Sequence, residues 1–355
     1  MYQRKLPIWA ILIIDLLIAG VALCVFALFH HVIPQSHVDT EDVIHMENPF
    51  ATPYVPTATP APTNTPAPAY TPGPGETPTP TPTPTAVPTP TPVVYEWTNK
   101  FKDYFTDTIV QTDTSYSGPT LAIDIKTVTE TIDAMPVKYY VIDIHIASIN
   151  CFNTALAHGS YGTAYTESIV DMDKDNGAIL AITGDYYGYR TSGLVVRNGN
   201  LYRSIPNNLD VGALFYDGTL KTYAKGSYTA PDLFSLSPYQ VWCFGPGLLG
   251  PSGEALNTFS KSYGNVATSR NPRTGMGFVE PGHYIFMMVE GRSNVSKGLD
   301  MAQFADLFVR YGCQTAYNLD GGGSAMFTFN DEIFNTVSNG SRDLSDCIYF
   351  KEVGK

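Results

Sequence analysis

The segment from Asn318 to Ser324 has the composition of a ligand-binding loop. An amide, a carboxylate, three adjacent glycines and a hydroxyl follow an apolar run, in the order Asn318, Asp320, Gly321, Gly322, Gly323, Ser324. Three adjacent glycines cost backbone entropy, and they are expected where the chain turns with positive φ or where backbone N–H groups approach an anion. A tight turn between strands is the alternative interpretation. The segment is not a Walker loop, because no lysine follows, and it lacks the final glycine of a nucleophile elbow.

Three other groups of residues carry side chains suited to phosphate and sugar chemistry. Arg270 and Arg273 flank a proline, and paired guanidinium groups bind phosphate oxygens bidentately. Glu290 and Arg292 follow a second apolar run, and Asp185 closes a third. For the arginine pair the alternative is a solvated basic turn, and for Asp185 it is a plain turn.

The elements around these residues predict that most of them converge. Residues 284–289 read as a buried strand, residues 301–308 as a helix ended by Gly312, and residues 316–319 as a second strand. A strand, a crossover helix and a strand form a parallel unit, in which both carboxyl ends reach one edge of the sheet. Ligands commonly bind outside that edge. The residues expected to meet there are Glu290, Arg292, Asn318 and Asp320.

Other segments indicate further regular structure without chemistry. Residues 140–147 alternate as a half-buried strand, residues 166–176 predict a helix ended by Gly177, and residues 178–182 a buried strand. The spacing of Asp171, Asp173 and Asp175 does not fit a calcium loop, so a solvated helix face is expected. No cofactor is expected. A structural calcium held by clustered carboxylates remains an option, although no ligand spacing supports it.

Charge and cysteine content narrow the class of protein. The chain has 21 basic and 33 acidic residues, a net charge of −12, which excludes the basic surface that a nucleic-acid binder needs. The histidines of the globular part, His145, His158 and His283, have no ligand spacing and are expected to be structural. The sequence leaves two interpretations for the four cysteines of the globular part, which are either paired in two disulfides, with three possible connectivities, or present as four buried thiols: Cys151, Cys243, Cys313, Cys347.

The first third of the chain cannot build a core. Residues 1–32 predict a cytoplasmic end and a single membrane-spanning signal anchor, because Arg4 and Lys5 precede an apolar run broken only by Asp15. A cleaved signal peptide is the alternative. Residues 33–94 predict an extended Pro/Thr-rich linker, with 15 of the 27 prolines between residues 51 and 93. Residues 95–355 are expected to form one globular domain outside the cell, of undetermined oligomeric state.

Five motifs together resemble the phosphodiester glycosidase family. They are residues 184–187 with 192–199, residues 244–246, residues 270–274, residues 289–293 and residues 318–324. Thr183 departs from the family, which usually has Asn there, so a substrate contact at Thr183 and Gly184 is expected to differ.

The resemblance implies hydrolysis of a sugar-1-phosphodiester by a carboxylate, with arginines and glycine N–H groups stabilising the phosphate. Asp320, Glu290 and Asp185 are the catalytic candidates. The strand and helix patterns predict a mixed α/β (α+β), sheet-rich single catalytic domain with a few helices, preceded by the transmembrane helix and a disordered Pro/Thr stalk. The expected substrate is a cell-wall or surface glycopolymer. The alternative is a non-catalytic protein that binds wall polysaccharide or assists exopolysaccharide assembly.

Overall fold

The computed structural model describes residues 43–50 and 95–354, together with Leu17, Gly20 and Val21. Apart from these three residues, the predicted membrane anchor lies outside the described residues, as does most of the predicted Pro/Thr linker. Among the residues that are described, no helix is long and apolar enough to cross a membrane.

The described chain is built mainly from short strands. In chain order they are β1 (Ile44–His45), β2 (Val110–Gln111), β3 (Ser115–Ser117), β4 (Leu121–Ile132), β5 (Met135–Ile146), β6 (Phe152–Leu156), β7 (Leu180–Thr183), β8 (Val195–Arg197), β9 (Asn200–Arg203), β10 (Val211–Phe215), β11 (Leu220–Tyr223), β12 (Pro238–Trp242), β13 (Arg273–Glu280), β14 (His283–Val289), β15 (Thr315–Leu319), β16 (Phe327–Phe329), β17 (Glu332–Ile333) and β18 (Asp346–Phe350).

Across residues 95–354, three α-helices accompany the strands: α1 (Ile169–Asn176), α2 (Ala230–Ser235) and α3 (Met301–Arg310). The first and third were predicted, with Gly177 ending α1 in a left-handed conformation. Asp300 caps α3 through a capping box with Gln303. Short 3₁₀ turns connect several strands.

The strands form three sheets around a shared core. A seven-stranded sheet has the order β15-β13-β14-β5-β4-β3-β2, a five-stranded sheet β17-β16-β7-β18-β6, and a six-stranded sheet β1-β9-β8-β12-β10-β11. One cluster of buried side chains draws on all three, including Phe286, Phe350 and Trp242. Helix α3 covers the opposite face of the seven-stranded sheet with Phe304 and Phe308. The predicted sheet-rich domain with few helices is confirmed.

The prediction of a parallel strand pair requires correction. Strands β14 and β15 share a sheet and run in the same direction, but β13 lies between them and pairs antiparallel with each. Every strand pairing among the described residues is antiparallel. The helix crossover thus passes over one strand. The carboxyl ends of β14 and β15 still reach one edge, where the amino end of β13 joins them.

Two other sequence predictions are decided by burial. The four cysteines of the globular part are all free and buried, so the interpretation as thiols is the one that holds. Asp173 on α1 is fully buried, and the expectation of a solvated helix face is wrong at that position. Helix α1 packs against the five-stranded sheet, and Asp173 lies on its inner face beside Met172 and Ile169.

Candidate active site

A cavity of about 480 Å³ opens at the edge where β13, β14 and β15 meet. Its walls come from the turn before β13, the loop after β15 and segments near residues 190, 244, 263 and 339. The cavity contains one carboxylate, Asp320, among several guanidinium groups. The predicted loop of residues 318–324 contributes Asn318, Asp320 and the three glycines to its wall.

Asp320 is the predicted catalytic residue that the cavity contains. Its Oδ1 accepts a hydrogen bond of 2.8 Å from the Gly321 N–H. Burial raises the pKa of Asp320, and the nearby charge of Asp185 adds to the rise, while Ser324, the Gly321 amide and Arg342 oppose it. A carboxylate with a raised pKa is a stronger base than an ordinary one.

The glycine loop is shaped by contacts with the turn before β13. Gly322 has φ of +63° and donates its N–H to the Pro272 carbonyl at 3.0 Å. Because Gly321 donates to Asp320, two of the three glycine N–H groups are engaged within the protein. The side chain of Ser324 is buried and accepts a hydrogen bond from Arg342 Nη2 at 2.7 Å. The expected anion-binding use of this loop stays a prediction, and the loop also serves to hold Asp320.

The predicted arginines differ in what their guanidinium groups contact. Arg273 and Arg292 line the cavity. Arg273 is buried and donates to the carbonyls of Leu299, Val266 and Ser269, and burial lowers its pKa to about 10. Arg292 is exposed, has φ of +59°, and donates to Asn271 Oδ1 at 2.9 Å. Arg292 therefore keeps more donors for a ligand than Arg273 does.

Arg270 is not part of the cavity wall. Its Nη1 donates to the Gly298 carbonyl at 3.0 Å and its Nη2 to the Ile132 carbonyl at 2.9 Å. The first bond joins the turn before β13 to the segment before α3, and the second joins it to the hairpin between β4 and β5. The contacts of Arg270 are structural.

Two arginines that sequence reasoning missed also line the cavity, Arg190 and Arg342. Arg190 donates to the Cys243 carbonyl at 3.0 Å and lies over the rings of Tyr186 and Phe244. Arg342 reaches Ser324 from a loop before β18. Neither arginine stands in a motif, so only their positions in the fold identify them.

Glu290 does not join Asp320, although both follow strands at the same edge. The side chain of Glu290 is buried and accepts hydrogen bonds from Tyr140 at 2.6 Å, Lys138 at 2.9 Å and the Thr336 N–H at 3.0 Å. Burial alone would raise the pKa of Glu290, but these three donors together lower it. All three donors reach Oε1 of Glu290 and hold this side chain away from the cavity.

The sheet register explains why these two carboxylates separate. Arg273 pairs with Val289, and Thr274 pairs with Leu319. Side chains alternate along a strand, so Glu290 falls on the face opposite Val289, while Asp320 falls on the face shared by Arg273 and Val289. The predicted convergence therefore holds for Arg292, Asn318 and Asp320, and fails for Glu290.

Asp185 belongs to a buried ion-pair network. Its Oδ2 lies 3.1 Å from Arg197 Nη2 and accepts from the Cys243 N–H at 3.1 Å, while its Oδ1 accepts from the Tyr187 N–H at 2.6 Å. Arg197 Nε donates to Asp346 Oδ2 at 2.7 Å. Burial raises the pKa of Asp346, against the attraction of Arg197. Neither Arg197 nor Asp346 was predicted as a functional residue.

Thr183, Gly184 and Asn318 hold segments together at the cavity, whose wall includes Asn318. The buried Thr183 hydroxyl contacts the carbonyls of Ser324 and Met326, and the Gly184 N–H donates to the Asp346 carbonyl at 3.3 Å. Asn318 Nδ2 donates to the Gly245 carbonyl at 2.8 Å, and its Oδ1 is buried without a hydrogen bond. The hydroxyl of Thr183 thus positions the end of the glycine loop.

A second cavity, of about 420 Å³, adjoins the first. Asp320 and Arg342 line both cavities. The second cavity also contains Asp185, Asp343 and the rings of Tyr186 and Tyr189, which stack at 4.4 Å. Asp320 therefore lies at the junction between an arginine-rich cavity and one with aromatic and acidic walls.

A group of possible metal ligands lies elsewhere on the seven-stranded sheet. Within the described residues, three such side chains come close together once, at Asp143, His145 and His283. Asp143 Oδ1 lies 2.9 Å from His283 Nε2, and the two imidazoles stack at 4.0 Å with 20° between their planes. The ligand atoms of the three side chains lie within 4.8 Å of one another, although calcium prefers oxygen ligands. The expected structural role of these histidines stays a prediction.

Comparison with known proteins agrees with the fold and the resemblance. The sequence model described as phosphodiester glycosidase matches residues 176–351. The SPbeta prophage-derived uncharacterized protein YomE of Bacillus subtilis (strain 168) is 29% identical over 191 residues, which are 51% of this chain and 29% of that protein. This chain thus spans less than a third of the length of that relative.

Two solved structures share the fold. The catalytic domain of zebrafish N-acetylglucosamine-1-phosphodiester alpha-N-acetylglucosaminidase, auto-inhibited by its pro-peptide, has a TM-score of 0.56 at 20% identity, covering 66% of this chain and 84% of that one. A hypothetical protein from Synechocystis has a TM-score of 0.52 at 13% identity, covering 65% and 62%. The fold is hydrolase-like. Over residues 176–351, the chain belongs to the phosphodiester glycosidase family.

Proposed function

We propose that this protein is an extracytoplasmic glycoside hydrolase that cleaves a sugar-1-phosphodiester bond in a cell-wall or surface glycopolymer. The observation that carries the proposal is the position of Asp320, a carboxylate of raised pKa at the junction of two cavities with different walls. Family membership supports the same reaction class.

The two cavities suit the two halves of such a substrate. A phosphodiester is anionic, and Arg190, Arg273, Arg292 and Arg342 supply positive charge to the larger cavity. A sugar presents hydroxyls and apolar C–H faces, which match the carboxylate of Asp343 and the rings of Tyr186 and Tyr189 in the smaller one. The bond between sugar and phosphate would then lie beside Asp320.

The chemistry requires a carboxylate and charge stabilisation. The departing phosphate is a weak base, so guanidinium groups stabilise it without a proton being delivered. Asp320 either activates a water molecule or attacks the anomeric carbon, as carboxylates do in other glycosidases. Asp185 lies close enough to raise the pKa of Asp320, but its oxygens are engaged by Arg197 and two N–H groups. We therefore assign the reacting role to Asp320 and a positioning role to Asp185.

The proposed location follows from the sequence before the domain. Basic residues ahead of a long apolar run predict a single-pass anchor with its amino end in the cytoplasm. The domain would then lie outside the cell, where surface glycopolymers with sugar-phosphate links occur. The partners proposed are the membrane and a carbohydrate substrate.

Hydrolysis of a panel of α-linked sugar-1-phosphodiesters by the full chain tests the proposal. We expect free sugar and a phosphomonoester from the wild type, and at least a hundredfold less from Asp320→Asn. Glu290→Gln, which makes the same change outside the cavity, should retain turnover in its folded fraction. Asp124→Asn, on the exposed face of β4, controls for the loss of one charge.

The alternative function is a non-catalytic module that binds wall polysaccharide or assists exopolysaccharide assembly. Binding of the same compounds to wild type and to Asp320→Asn, with no turnover by either protein, would favour it. Such a module needs the arginines but not an ionisable Asp320.

A further inference from the structure

The segment of residues 43–50 lies against the globular domain, although it precedes the Pro/Thr-rich stretch. Its strand β1 pairs antiparallel with β9, with Ile44 opposite Leu201 and His45 opposite Asn200. The Met46 N–H donates to the Gly199 carbonyl, and His45 Nδ1 lies 2.9 Å from Asn200 Oδ1. Residues 43–50 therefore add an outer strand to the six-stranded sheet.

The domain provides a fitted surface for this strand. The Tyr216 hydroxyl donates to the Met46 carbonyl at 2.7 Å, and the Met46 side chain is only 8% exposed, in a cluster with Leu194 and Val196. Gly199 has φ of +77°, and a β-carbon there would lie 3.2 Å from both His45 and the Met46 carbonyl. By contrast, Ile44 is 61% exposed. Met46 is thus the anchoring side chain of the segment.

Because residues 43–50 are docked, the part of the predicted linker that follows them starts and ends on the same domain. The residues that follow Phe50 leave from the domain, and the chain returns to the same domain at Tyr95, whose N–H is bonded to Thr98. The 44 residues 51–94 between them therefore begin and end on one body. While residues 43–50 are docked, the length of residues 51–94 therefore adds no distance between the domain and the residues that precede Ile44.

We propose that residues 43–50 form a releasable clasp, and that the clasp sets the reach of the domain from its amino-terminal residues. Two residue pairs, the Met46 side chain and the Tyr216 bond hold the segment, so its release breaks few contacts. Opening adds up to about 140 Å of contour, at about 3.1 Å per residue in a proline-rich chain. The contacts of the segment with Gly199, Asn200, Leu201 and Tyr216 lie outside the catalytic cavity. The clasp therefore controls reach without blocking the site.

The clasp itself does not depend on the proposed hydrolysis or on the proposed membrane anchor. Loss of docking in a Met46→Lys variant should leave turnover of a soluble substrate unchanged. A protein without turnover can still show the clasp, so the two proposals fail independently.

Energy transfer within the full chain tests the clasp. Dyes are attached to Asn48→Cys and Lys221→Cys in a Cys24→Ser background, since the four cysteines of the globular part are buried. Lys221 lies on β11, at the opposite edge of the same sheet, so five strand spacings of about 4.8 Å place it about 24 Å from β1 when the clasp is closed. We expect high transfer in this protein, a clear loss with Met46→Lys, and no change with Ile44→Lys.

Hydrogen exchange on the unlabelled chain gives a second measurement. Residues 43–50 should exchange at least tenfold more slowly in the wild type and in Ile44→Lys than in Met46→Lys. Exchange at the rate of an unstructured peptide in the wild type would overturn the proposal. So would transfer between singly labelled chains that have been mixed, because it would assign the strand to a second copy.

Discussion

Asp320 and Asp185 stand in similar places in the sequence, since each follows a buried strand and adjoins a glycine. Their surroundings differ in the number of donors that reach them. Asp185 meets Arg197 and the N–H groups of Tyr187 and Cys243, while Asp320 accepts from Gly321 and lies beside Ser324. A carboxylate whose oxygens are engaged by the protein is held in place, whereas one facing a cavity retains acceptor capacity for a substrate or water.

The difference comes from segments distant in sequence. Arg197 lies on β8 and Cys243 follows β12, and both belong to the six-stranded sheet that closes over Asp185. Asp320 follows β15 of the seven-stranded sheet and lies in the cavity wall with the exposed Arg342. Burial with an ion pair therefore fixes Asp185, and burial without a direct ion pair raises the pKa of Asp320.

The largest effect that separates these two carboxylates is on turnover. Asp320→Asn should lower kcat by about 10²- to 10⁴-fold and leave the free energy of unfolding nearly unchanged, because its carboxylate faces the cavity and accepts from the adjacent Gly321 rather than from a distant segment. Asp185→Asn should instead lower the free energy of unfolding by about 1–3 kcal/mol. Steady-state kinetics and urea unfolding of both variants make the comparison. A stable but inactive Asp185→Asn protein would reverse the assignment.

The next largest effect concerns the buried network itself. Arg197→Met leaves Asp185 and Asp346 buried without their shared cation, so we expect a loss of about 3–5 kcal/mol in the free energy of unfolding. The triple variant in which Asp185 and Asp346 also become Asn should recover part of this loss, because no unpaired charge remains. Denaturant unfolding measures each protein. An Arg197→Met protein as stable as the wild type would show that the network does not support the fold.

How much of this site the sequence predicts depends on the range of each interaction. Asp320, Asn318 and Gly321–Gly323 stand in one motif after a recognisable strand, and the cavity includes them all. The side to which Glu290 turns depends on β13 lying between β14 and β15, and no local pattern encodes that insertion. Arg190 and Arg342 were not predicted for the same reason, because they reach the cavity from loops that have no local sequence pattern. Local chemistry was predictable, and the register between distant strands was not.

Asp173 extends the comparison to a carboxylate buried without an ion pair. Burial raises its pKa from 3.8 to about 7. The folded chain therefore holds a proton that the unfolded chain loses above about pH 4, so its stabilising contribution is complete below that pH and disappears as the pH rises to 7. The free energy of unfolding should fall by up to about 1.4 kcal/mol per pH unit in this interval. Asp173→Asn should remove its share of this slope and leave that of Asp346, whose pKa burial also raises, whereas Asp171→Asn, on the exposed face of α1, should keep both. Urea unfolding at several pH values measures both, and an unchanged slope in Asp173→Asn would contradict the assignment.

The smallest expected effect is a shift in the pH dependence of turnover through Arg342. The positive charge of Arg342 lowers the pKa of Asp320, against the rise caused by burial. Arg342→Gln should therefore raise that pKa further and move the acidic limb of the kcat profile to higher pH, because Asp320 reacts in its ionised form. The rate should therefore fall at pH values near the limb and stay closer to that of the wild type on the plateau above it. Arg310→Gln, which removes an exposed arginine paired with Glu130, is the matched control and should leave the limb in place. A limb that stays fixed in Arg342→Gln would mean that a group other than Asp320 controls the reaction.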